Sequence, residues 1–109
     1  FLYHEDDDLS LRLKNTVGPL MYCPQANVIH EGGNSSLRNS KTAMLKGFHM
    51  GKSRVYAMKK YKINNYKVKC LLFAIIQLMS IEMLFSKRKR AKYLAFFRGV
   101  KEELKEDKV

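Results

Sequence analysis

Leu20-Met21-Tyr22-Cys23-Pro24, then Ala26-Asn27-Val28-Ile29-His30, then Glu31-Gly32-Gly33-Asn34-Ser35-Ser36, is the stretch whose reading decides the fold. Two short apolar runs, Leu20 to Cys23 and Asn27 to His30, flank Pro24, a residue that a sheet accepts only at an edge or a break. They read as short strands. Two glycines and small polar residues follow, which favour unusual backbone angles and close approach of a ligand, so Glu31 to Ser36 reads as a loop. Upstream, Phe1-Leu2-Tyr3-His4-Glu5-Asp6-Asp7-Asp8-Leu9-Ser10-Leu11-Arg12-Leu13 places four consecutive carboxylates ahead of an apolar and basic pattern. Asp6 to about Asn15 reads as a short helix, its acids suited to the positive end of the dipole, and Val17-Gly18-Pro19 ends it. A helix followed by two short strands makes this head a mixed α/β segment.

Downstream of about Leu37 there is no strand signal. Ser40 to about Ile63 predicts a helix, imperfect at Gly47 and Gly51, with Met44, Phe48, Val55, Met58 and Tyr61 on a shared apolar stripe. Asn64-Asn65 is a break, and Tyr66 to about Lys87 predicts a second helix, almost wholly apolar from Cys70 to Phe85. A third runs from Arg90 to about Asp107, with Tyr93, Phe97, Val100 and Leu104 on one face and Glu102, Glu103 and Lys105 toward solvent. The organisation expected is therefore an α/β segment over residues 1–38 and a helical, basic tail over residues 39–109.

Four adjacent acids exceed what capping requires. Like charges at this spacing repel, and the expectation is a general base made by that repulsion. The plainer alternative is a solvated, over-acidic helix start. His30 closes the second apolar run and opens the glycine loop. A lone histidine there is either a hydrogen-bonded structural residue or, as neutral imidazole beside carboxylates, a ligand for a divalent metal. Gly32, Gly33, Asn34, Ser35 and Ser36 offer backbone N–H groups and hydroxyls to a diphosphate or an acceptor, or make an ordinary turn.

The order of these pieces is similar to the acceptor-side half of family 2 glycosyltransferases of the GT-A fold. The likeness runs from the "ED" pair with D-L-x-L-R, through Y-x-P-x-A-x-V-I-H, to the Gly-Gly-x-Ser loop, and loosely on to Ser53-Arg54-Val55-Tyr56 and Lys59-Lys60-Tyr61. It is closest in flavour to rhamnosyl- and galactofuranosyl-type members. The resemblance implies inverting transfer of a sugar from a nucleotide-sugar donor to a glycan or lipid-linked acceptor in cell-surface polysaccharide synthesis. It implies Asp6 as the base, with Glu5 orienting the acceptor, and Asp7, Asp8, Gly32, Gly33 and Ser35 at the substrate. A one-place ambiguity between Asp6 and Asp7 stays open. His30, 24 positions after Asp6, would help to hold a divalent metal, Mn²⁺ or Mg²⁺, as a histidine does in some relatives. Because the chain begins at Phe1 inside a motif, the resemblance also implies a nucleotide-binding half upstream, and no transfer by residues 1–109 alone.

Charge gives the rival reading. The net charge is +11, made of −3 over Phe1 to Ser36 and +14 over the remainder. Such asymmetry points the tail toward an anionic surface, membrane or nucleic acid. Cys70 to Phe85 is 16 residues, interrupted by Gln77, Ser80 and Glu82, and a span needs about 20. It is expected to pack as a helix or to lie in the interface, with Lys87-Arg88-Lys89-Arg90 against an anionic leaflet at about 1 kcal/mol per residue. A solvated face of a helical bundle is the alternative. Cys23 and Cys70, far apart and outside any metal spacing, suit reduced thiols and a cytoplasmic location, peripheral on the inner face of the membrane. The enzyme reading expects no nucleic acid. Against it stands a non-enzymatic basic module that binds RNA or an anionic membrane through Lys41 to Arg90, which leaves the acidic head unexplained.

Overall fold

The computed structural model describes residues 3–30 and 36–106, and they form five helices. These are α1 (Glu5–Thr16), α2 (Ser40–Lys60), α3 (Tyr66–Leu78), α4 (Glu82–Phe85) and α5 (Lys87–Glu106). No strand occurs among the described residues, which corrects the expected α/β architecture: the protein is all-helical. The reason lies at Leu20 to Cys23 and Asn27 to His30. A strand needs a neighbour to take its backbone N–H and C=O groups, and among the described residues neither run has one. Both stay irregular and solvated, with Met21 89% and Ile29 97% exposed.

Helix α2 is well delimited. Asn39 caps it, its side chain accepting the Thr42 N–H at 2.8 Å. At the other end Lys62 takes the left-handed conformation (φ 53°). There the Ile63 N–H reaches the Met58 carbonyl at 3.0 Å and the Lys62 N–H reaches that of Lys59 at 2.9 Å. That pair of bonds is a Schellman closure, made here with lysine where glycine is usual. Asn65, also left-handed (φ 57°), leads into α3, a position asparagine tolerates better than most residues.

The second predicted helix does not run through. It stops at Leu78, turns through Met79 to Ile81, and resumes as the single turn α4. Ser86, in extended conformation, then accepts the Lys89 N–H at 3.3 Å, so α5 starts at Lys87 rather than Arg90. These turns bring α5 back alongside α2. Gly47 meets Lys92, Gly51 meets Phe96 and Val100, and Gly99 meets Phe48 and Lys52. Both numbers of each pair rise together, so the two helices run parallel. The glycines read in the sequence as flaws are the points of closest approach: a Cβ on Gly47 would stand 3.0 Å from the Lys92 carbonyl carbon, with the oxygen nearer still. Ala95 and Gly99, one turn apart on α5, face this seam and are buried. Beside it sits the core of Val55, Cys70, Ala74, Phe96 and Val100, edged by Met50, Met58, Tyr66, Leu71, Phe97 and Leu104. Lys52 closes the far end, facing Glu102, Glu103 and Glu106 at 3.2–3.6 Å.

Candidate functional site

The four acids of α1 divide into two pairs. Asp8 is 7% exposed and ties α1 to the end of α2. It takes hydrogen bonds from the Lys60 ammonium and, at 2.5 Å, from the Tyr61 hydroxyl, and Arg12 Nε lies 3.0 Å away. The Lys60 and Tyr61 bonds hold its carboxyl below the ordinary value of 3.8, while the same carboxylate raises the Tyr61 phenol. Asp7 Oδ2 lies 2.9 Å from His4 Nδ1. His4 precedes α1 in a left-handed conformation and gives it no side-chain cap. Glu5 and Asp6 are exposed in the first turn, and Asp6 has no hydrogen-bond or ion-pair partner among the described residues. Arg12 is a local partner, one helical turn along, but Lys60 and Tyr61 lie some fifty positions away, and nothing in the local spacing announced them.

His30 is exposed at the end of the irregular segment. Among the described residues no three His, Cys, Asp or Glu side chains gather as a metal site. Gly32, Gly33 and Ser35 lie outside the described residues. Both thiols are free. Cys23 is exposed, and Cys70 is buried against Met58, with burial pushing its pKa up.

A second feature dominates the surface. Helix α3 is apolar on two sides. Cys70 and Ala74 turn inward, to Val55, Phe96 and Val100. Val68, Leu72, Ile75, Ile76 and Met79, spaced along the other side at helical intervals, are all exposed. Ile81, Leu84 and Phe85 extend this apolar surface through α4, with Met79 80% and Phe85 84% open to solvent. The basic run follows at once. Lys89 pairs with Glu82, whose carboxyl is lowered by that bond and by the Tyr93 hydroxyl. Arg90 caps the end of α4, donating to the carbonyls of Met83 at 3.0 Å and Leu84 at 3.4 Å. Lys87 and Arg88 remain exposed. No helix among the described residues is long and apolar enough to cross a membrane.

Comparison with protein families, curated proteins and solved structures finds no match. Together with the all-helical architecture, this overturns the resemblance to family 2 glycosyltransferases of the GT-A fold. The residue roles that the resemblance implied lose that support.

Proposed function

We propose that the chain is a basic helical module that docks peripherally on an anionic membrane surface. One observation carries the reading: the outer face of α3 and α4, from Val68 to Phe85, is apolar and exposed, and Lys87 and Arg88 stand directly beside it. Exposed apolar surface of this extent on a small helical protein calls for something to cover it. An interfacial helix does so by sinking its apolar side to the headgroup–acyl boundary while flanking cations meet anionic lipid. The test is co-sedimentation with vesicles. Phosphatidylserine vesicles should bind the chain, binding should fall as salt is raised, and replacing Lys87, Arg88, Lys89 and Arg90 by Gln should weaken it, because exposed charges are screened over about 8 Å at physiological ionic strength. Equal, salt-independent binding to neutral vesicles would sink the electrostatic half of the proposal.

A second reading, sugar transfer, draws on the acids alone. Asp8 is held by Lys60 and Tyr61 and the exposed Asp7 faces His4, while Glu5 and Asp6 are exposed in the first turn. Those are the two residues expected to act on an acceptor hydroxyl. Asp6→Asn should cut transfer about a hundredfold or more, with Asp7→Asn far milder. Equal activity in both variants and wild type rejects this reading.

A further inference from the structure

Because α2 and α5 run parallel, their N-terminal ends lie side by side. Between them is a cleft of about 280 Å³, lined by Arg38 and Lys46 from the α2 end and by Arg88, Lys89 and Lys92 from the α5 end. Among the described residues no carboxylate lines it. Lys89 is engaged by Glu82, which the Lys92 charge also faces, but among the described residues no carboxylate pairs with Arg38, Lys46 or Arg88. Hydroxyls are present too: Ser36, which accepts from Lys46, and Thr42. The charge arrangement is unfavourable as it stands. Unpaired N–H groups give a helix start about half a positive charge, yet α5 opens with Lys87-Arg88-Lys89-Arg90 and no acid, and α2 has no acid in its first turn either. Three cations without a carboxylate, Lys92 and two positive helix ends converge on one cavity, and a bound anion would relieve the repulsion.

We infer that the cleft between the N-terminal ends of α2 and α5 binds a doubly charged phosphate group. Its volume is at the small end of the range for ligand pockets, about 300–1,000 Å³, which suits a phosphorylated headgroup or a small phosphate ester rather than an acyl chain. The cleft shares Arg88 and Lys89 with the docking surface, whereas Lys46 and Lys92 belong to the cleft alone. Only one source of the phosphate, a phosphomonoester lipid, rests on the docking proposal.

The experiment uses the full chain and two probes. Inorganic phosphate, followed by calorimetry, should bind saturably with a Kd of about 1 mM or tighter. Lys46→Gln and Lys92→Gln should each weaken it about tenfold, the loss of a charge-assisted bond, while Lys105→Gln leaves it unchanged. Phosphatidic acid vesicles are compared with phosphatidylserine vesicles of equal net charge. Tighter binding to phosphatidic acid, lost in the two cleft variants, assigns the phosphate to a lipid. Binding of free phosphate without that preference assigns it to a soluble ester. No saturable phosphate binding, or binding indifferent to both cleft variants, overturns the inference. Phosphatidylserine binding by those variants reports on docking alone, so the two proposals fail separately.

Discussion

The α2–α5 seam and the α3–α4 surface invert the usual relation between hydrophobicity and burial. The seam is made by Gly47, Gly51, Ala95 and Gly99, residues with little or no side chain, and there two backbones touch. The α3–α4 surface carries Val68, Leu72, Ile75, Ile76, Met79, Leu84 and Phe85, and they stand in solvent. Close packing depends on complementary shape as well as on apolar area. Small residues at four-residue spacing let helices approach until backbone meets backbone, with short contacts to carbonyl oxygens. Bulky residues without a facing groove remain available to something outside the chain.

The largest effect is expected in the seam. Gly51→Ala should destabilise the protein by about 1–3 kcal/mol through overpacking, although alanine is the better helix former by about 1 kcal/mol. The added Cβ would lie 3.0 Å from the Val100 nitrogen and closer to the Phe96 carbonyl oxygen. A melting temperature equal to or above wild type would break the comparison. On the other surface, Leu72→Gln with Ile76→Gln should move stability by no more than about 0.5 kcal/mol, yet lower vesicle affinity about tenfold. A large loss of stability there would mean that this face is packed, not open.

The smallest effect concerns the tie between α1 and α2. Lys60 and Tyr61 depress the Asp8 carboxyl below 3.8, so the folded form binds this proton less readily than the unfolded form. Its contribution is present above 3.8 and disappears as pH falls through the lower folded value. Melting measured from pH 7 down to pH 2 should therefore show an acid-side decline that is shallower in Asp8→Asn. Parallel curves for the two proteins would remove Asp8 from the account. Glu82, depressed by Lys89, adds its own decline in both.

Local pattern revealed what local physics decides. The helix over the acids, the breaks at Gly18-Pro19 and Asn64-Asn65, and the face through Phe97, Val100 and Leu104 were legible because caps, turn residues and a 3.6-residue period act within a few positions. Leu20 to Cys23 and Asn27 to His30 misled because a strand is a property of a pair, and a short apolar run cannot say whether a partner exists. Gly47 and Gly51 misled for the opposite reason: their cost in helix propensity is local, whereas their benefit depends on the approach of Lys92, Phe96 and Val100 from another helix. The burial of Asp8 was equally hidden, since Lys60 and Tyr61 reach it from the other end of α2.

Parallel pairing of α2 with α5 also has a kinetic consequence. Two antiparallel helices can be joined by a tight loop, but these contacts unite residues such as Gly47 with Lys92 only after α3 and α4 have carried the chain back. Closing so long a loop costs entropy before any contact repays it. Helical proteins usually fold fast because their contacts are local; here the contacts that matter most are distant. Docking of α3 on α2 through Cys70 and Val55 is the shorter-range step and should come first, with the glycine seam forming late. Seam substitutions should then chiefly accelerate unfolding, leaving the folding rate nearly unchanged.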